Sequence, residues 1–163
     1  MRSCLILFCC LAMMNFAGCT NKKTIVTNQG TTTVETNTLG NTVRITNKQG
    51  TAVIGKGAVS PSQLGLPLYP GAIAKLTGAS TVSNTQGGKV YQVSLSTKDP
   101  FEEAYQWYKE RLPAGSEQTH MRASGGSIAS FLVGKMGDRD EKSVLIDQSS
   151  NLTTIVLTHT IKP

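Results

Sequence analysis

The side chains able to do covalent, metal or acid–base chemistry are few, and their spacing narrows them further. The chain has 163 residues, with four cysteines and two histidines. A cysteine sulfur is the most nucleophilic group available to acylation, metal binding or disulfide exchange. Cys4, Cys9 and Cys10 stand in an apolar run that extends to Met14, and Cys19 closes Asn15-Phe16-Ala17-Gly18-Cys19. His120 and His159 could share a metal, but no Asp or Glu at ligand spacing accompanies them, and a histidine on an apolar face is more often a satisfied border residue. Asp138, Asp140 and Glu141 surround Arg139 without the rest of a calcium loop, which reads as a solvated turn. Ser124-Gly125-Gly126-Ser127 precedes a strand and lacks the lysine and helix of a phosphate loop, so it reads as a β-turn. There is no nucleophile elbow and no local Ser, His and Asp grouping. The expectation is a protein that is not an enzyme, with no metal and no cofactor.

Position gives Cys19 its meaning. A single positive residue, Arg2, an apolar run of limited length and small residues before a cut are the parts of a secretory signal peptide. The run is well short of the roughly 20 residues that a membrane-spanning helix needs. Ala17-Gly18-Cys19 resembles the lipobox of bacterial lipoproteins, with Phe16 where those carry Leu or a similar aliphatic residue. The resemblance implies a diacylglycerol joined to Cys19 through a thioether, and cleavage that leaves Cys19 first in the mature chain. Each buried methylene contributes about 0.8 kcal/mol, so two or three acyl chains hold a protein essentially permanently. In Gram-negative lipoproteins an Asp after the cysteine resembles an inner-membrane retention signal. Thr20 stands there instead, so the expected address is the outer membrane, on its periplasmic face. Removal of residues 1–18 leaves 145 residues and no free thiol. Stability must then come from burial and backbone pairing, without disulfides.

Sixteen Lys and Arg face ten Asp and Glu. The positive residues are scattered and no helix carries a basic face, which excludes a nucleic-acid-binding surface of the usual kind.

The elements that must position these residues begin with a Thr/Asn/Gly-rich segment. Gly30, Gly40 and Gly50 punctuate it, and between them run Thr24–Thr27, Thr32–Thr36, Thr42–Thr46 and Thr51–Ile54. Thr, Val and Ile strings bounded by Asn and Gly predict strands joined by tight hairpins. Alternation such as Val43-Arg44-Ile45 puts the apolar side chains on one face. That face is too thin to stand alone, so the meander should pack on the following domain or on a partner. Residues 58–71 carry Pro61, Pro67 and Pro70, which favour an extended connector.

Leu66-Pro67-Leu68-Tyr69-Pro70-Gly71-Ala72, followed by Ser96-Thr97-Lys98-Asp99-Pro100 opening a helix with Tyr105, Trp107 and Tyr108, resembles a group of uncharacterised bacterial exported proteins and lipoproteins. They share a Thr/Gly-rich β-segment, a Leu-Pro-x-Tyr-Pro-Gly-Ala motif and a compact α+β domain. The resemblance covers about residues 24–160 and implies a fold and an envelope location, with no catalytic residues to transfer.

Asp99 suits an N-cap, Pro100 the first helical position, and Glu102 the partner position of a capping box. Phe101, Ala104, Tyr105, Tyr108 and Leu112 form one apolar stripe with Trp107 at its edge. Around the helix, 79–83, 89–95, 117–122, 128–133, 143–147 and 153–160 read as strands. The expected fold is α+β: one amphipathic helix on an antiparallel sheet of about five or six strands, preceded by a small N-terminal β-meander. The expected organisation is a signal peptide (1–18), a lipidated tether (19–23), the meander (24–57), the connector (58–71) and the α+β domain (72–163).

These readings favour a membrane-anchored cell-envelope lipoprotein that binds or scaffolds another envelope protein, with Trp107, Tyr105 and Arg44 as candidate partner-binding residues. The alternatives are a carrier or sensor of a small apolar ligand, which requires a cavity near Tyr91, Tyr105 and Trp107, and an envelope hydrolase, which requires a titratable cluster in a cleft.

Overall fold

The structure is a computed structural model that describes residues 20–28, 30–39, 41–149 and 151–163. The expected signal peptide and Cys19 lie outside the described residues.

Each Thr/Val/Ile string forms a strand. The first four are β1 (Thr20–Thr27), β2 (Gly30–Asn37), β3 (Thr42–Asn47) and β4 (Gly50–Gly55). Asparagine and glycine make the turns. Asn47 Oδ1 accepts from the backbone N–H groups of Gln49 at 2.9 Å and Gly50 at 3.1 Å, and Asn84 Oδ1 accepts from those of Gln86 and Gly88 at 3.0 and 2.8 Å. An asparagine side chain that satisfies the backbone two to four residues on does what a turn hydrogen bond does. After the connector come β5 (Ile73–Asn84), β6 (Lys89–Thr97), the helix α2 (Phe101–Arg111), β7 (Glu117–Ala123), β8 (Gly126–Val133), β9 (Asp140–Gln148) and β10 (Thr153–Ile161). The connector holds a short helix, α1 (Pro61–Leu64).

The ten strands among the described residues form one antiparallel sheet, in the order β1-β2-β3-β4-β5-β6-β10-β9-β8-β7. This corrects the expected α+β class. Strands make up 57% of the structure and helices 11%, and no meander stands apart from a five- or six-stranded domain. The reason is edge chemistry. β4 and β5 would each present a row of unpaired N–H and C=O groups, and the chain returns from the connector to satisfy them against each other, Gly50 with Asn84 and Ile54 with Ser80. The meander therefore extends the sheet sideways.

The core lies on one face only. Tyr91, Val93 and Leu95 of β6, Ile155 and Leu157 of β10, Val144 and Ile146 of β9, and Ala129 and Phe131 of β8 are buried beneath α2 and the connector. The helix contributes Phe101, Ala104, Tyr105 and Tyr108, as its stripe predicts. Its cap differs from expectation. Pro100 occupies the N-cap position without a side-chain cap, and Phe101 N–H instead donates to Gln148 Oε1 of β9 at 3.3 Å. A capping box does occur, but in α1, where Ser60 and Gln63 satisfy each other's backbone N–H groups behind Pro61.

Most of the meander's apolar residues point the other way. Register pairs Val34 with Ile45, Ile45 with Ala52, Ala52 with Val82 and Val82 with Val90, a row crossing five strands on the face opposite α2. The α2-side face of β1 to β4 is mostly polar, Val26 and Val53 being its apolar exceptions. Lys22 and Glu35 form an ion pair of 3.0 Å, Arg44 lies directly opposite Glu35, and the Thr46 and Thr51 hydroxyls share a hydrogen bond of 3.3 Å. Among the described residues no hydrophobic side chain before Val59 belongs to the core.

Candidate functional site

The Leu-Pro-x-Tyr-Pro-Gly segment is a clamp. Tyr69 meets Trp107 edge-on with ring centroids 5.4 Å apart and stacks with Tyr108 at 6.4 Å. The Tyr108 hydroxyl donates to the Pro67 carbonyl at 3.2 Å, and Thr81 Oγ1 of β5 donates to the Ala58 carbonyl at 2.7 Å. Burial, aided by the Asp99 carboxylate, pushes the Tyr69 hydroxyl up to about 12, and burial likewise raises that of Tyr108. The connector is thus tied to the helix at one end and to the sheet at the other.

Between these ties the connector arches over β5 and β6 and leaves a cavity of about 480 Å³. Its floor is Val93 and Leu95 of β6 with Ala79 of β5, and its roof is Val59, Leu64 and Leu68. The β5 register shifts between Ala74 and Ala79, so the start of that strand bends into the rim. At the mouth stand Ile73, 73% exposed, and the two exposed lysines Lys56 and Lys75. Among the described residues neither lysine forms an ion pair. The volume falls within the range of about 300–1,000 Å³ typical of small-molecule sites, and an apolar lining with a few polar groups at one end is their usual make-up. Among the described residues no Ser, Cys, His or carboxylate lines it. Such a site can hold an apolar body and attract an anionic head; its own lining offers no carboxylate–histidine pair for proton transfer.

The residues expected to bind a partner are not brought together. Trp107 is half-buried against Tyr69 and Tyr108, with the Arg111 guanidinium over its ring at 4.5 Å. Tyr105 is 2% exposed, stacks on His120 at 4.0 Å, donates to Glu117 Oε1 at 3.0 Å and accepts from Lys109 Nζ at 2.8 Å. That bonding holds the Glu117 carboxyl below, and the Lys109 ammonium above, its ordinary value. Arg44 is on β3, five strands from β9, on which α2 packs, or about 24 Å across the sheet at the usual strand spacing.

His159 and His120 do not meet. His159 hydrogen-bonds to the Gln63 carbonyl and to Asp140, His120 packs on Tyr105, and no cluster able to hold a metal occurs among the described residues. The cavity also lies away from the place expected for one. Tyr91, Tyr105 and Trp107 do not line it, because their rings are used in packing. Its sequence signal was the apolar connector itself, in which Leu64, Leu66, Leu68 and Tyr69 exceed what a free linker needs.

No protein-family model, curated protein or solved structure matches this chain.

Proposed function

We propose that this protein is a noncatalytic lipoprotein of the bacterial cell envelope, anchored through acylated Cys19, that binds an amphiphile with an apolar body and an anionic group. The observation that carries the reading is the cavity under the connector, apolar throughout except for Lys56 and Lys75 at its mouth. An apolar chain would displace poorly bound water from Val93, Leu95 and Leu64, while a carboxylate or phosphate would meet the two ammonium groups. The leader-like segment ending in Ala17-Gly18-Cys19 supports the anchor, and Thr20 supports the outer membrane.

A titration of the purified protein with a fluorescent long-chain fatty acid tests it. Saturable binding is expected. It should weaken at least tenfold in Ala74→Trp, which fills the rim, and in the double variant Lys56→Glu, Lys75→Glu. The charge variant should bind the corresponding fatty alcohol as the wild type does. Absence of saturable binding to the folded wild type overturns the reading.

The apolar row from Val34 to Val90 supports a second reading, a scaffold whose open sheet face meets another envelope protein. Photo-crosslinking in cells from Ile45, read by mass spectrometry, tests that reading through a stoichiometric protein product.

A further inference from the structure

Register fixes where the anchor lies relative to the cavity. Thr20, one residue from Cys19, pairs with Asn37, Asn37 with Thr42, and Thr42 with Gly55. The turn carrying Leu39 and the rim residues Lys56 and Gly57 therefore project from the same end of the sheet as Thr20. On the next strand, Ala79 pairs with Val93 and Ala74 with Leu95, so the irregularity absorbs most of the intervening length. Ile73 consequently stands only about three residue steps, about 10 Å, beyond the level of Thr20, and β5 lies four strand spacings, about 19 Å, from β1.

Around the cavity mouth this end is both apolar and positive, while Asp99 and Asp147 lie at the same end beyond β6. Leu39 is 79% exposed, Ile73 73% and Leu68 40%. Lys56 and Lys75 flank the cavity mouth, and Lys23 lies near the start of β1. The opposite end exposes Val26 and Met136, but these sit on β1 and beyond β8, separated by most of the sheet. Isolated apolar side chains among lysines are the composition of a surface that dips into a lipid interface bearing anionic head groups.

We infer that the end of the sheet carrying Thr20 is a membrane-docking rim, with Leu39 and Ile73 in the lipid interface and Lys56 and Lys75 at anionic head groups. The cavity then opens onto the bilayer that holds the anchor, and its ligand is a lipid of that leaflet that enters without crossing water. This rests on the proposed acylation of Cys19. β1 begins at Thr20, so an acylated Cys19 leaves almost no tether and the rim has little freedom to turn away.

The test uses the acylated protein in vesicles of phosphatidylcholine and phosphatidylglycerol. Loss of the leader and acylation of Cys19 leave no other thiol, so Leu39→Cys, Ile73→Cys, Lys48→Cys and Gln86→Cys each accept one environment-sensitive dye. Lipids brominated in their acyl chains should quench the dye at positions 39 and 73 at least twofold more than at 48 and 86, which lie in turns at the far end. Equal or absent quenching at all four positions in vesicle-bound, acylated protein overturns the inference and leaves the anchor standing. A mass spectrum showing an unmodified Cys19 in protein from the native membrane overturns the anchor and this inference with it.

Discussion

The Nε2 atom of His159 stands 2.8 Å from Oδ1 of Asp140, while its Nδ1 faces the Gln63 carbonyl of α1, so one ring joins the central strand β10 both to its neighbour β9 and to the connector. A neutral imidazole can donate to only one of those two acceptors. Lys142 Nζ reaches the same Asp140 oxygen at 2.6 Å, and its stem passes beneath Gly65, the residue that ends α1.

Lys142 first, and His159 after it, hold the Asp140 carboxyl below the ordinary aspartate value. A carboxyl with a depressed folded pKa contributes stability that is present above its unfolded pKa and lost as pH falls through the folded one. Melting temperature followed from neutral pH down through the carboxylate range should therefore drop. Asp140→Asn should lower the neutral-pH value and flatten the drop. An unchanged slope in that variant would remove Asp140 from the account.

Tyr69 supplies the alkaline counterpart. Its hydroxyl is raised to about 12, so its contribution is complete below the unfolded value of 10.0 and lost as pH climbs through about 12. Tyrosinate absorbance should show two groups ionising late, Tyr69 and the more deeply buried Tyr108, and Tyr69→Phe should delete one of them while the fold survives. Tyr69→Ala removes the ring between Trp107 and Tyr108 and should cost about 3–5 kcal/mol, on the scale of large aromatic truncations. It should also loosen the cavity roof, read as weaker fatty-acid binding.

The seam between the meander and the rest of the sheet depends on Gly50. Its φ is +153°, and a Cβ there would lie 2.0 Å from the Ser83 carbonyl oxygen, which is backbone and cannot swing aside. Gly50→Ala must push β4 from β5 and should cost at least about 1–3 kcal/mol, as overpacking does. The urea midpoint measures it, and amide exchange should rise first along β4 and β5.

Arg44 makes a contrasting case. It is exposed, on a polar face, and opposite a Glu35 that Lys22 already pairs. Arg44→Ala should change stability by less than about 1 kcal/mol, the scale of surface ion pairs. A larger loss in chemical denaturation would show that the β1–β3 charge ladder supports the meander.

Much of the local structure was legible because it rests on local rules. Asn47 and Asn84 stand where turns need a side-chain acceptor, and Phe101, Ala104, Tyr105 and Tyr108 keep helical spacing. What joined those pieces was not legible. The pairing of Ile54 with Ser80 bridges a connector whose prolines read as a boundary, so the strands on either side read as separate units. The α2 cap is not legible locally because Gln148, which accepts from the Phe101 N–H, is 47 residues away. Aromatic rings suggest binding at Tyr91, Tyr105 and Trp107, yet Tyr91 packs on His159, Tyr105 on His120 and Phe131, and Trp107 on Tyr69 and Tyr108. The cavity formed where Thr81 and Tyr108 hold the two ends of an apolar strap.

The position of β10 has a kinetic consequence. β10 follows β9 in the chain yet lies between β6 and β9, and among the described residues no backbone ladder joins the two halves of the sheet without it. A chain folding from its N-terminal side can close the hairpins from β1 to β6 early, but it must carry the open edge of β6 until β10 arrives. Pairing Leu157 with Val93 closes a loop of more than sixty residues, and such non-local closure slows folding. β10 acts as the keystone: until it enters, the molecule is two unfinished sheets, open to any other strand that reaches β6 first.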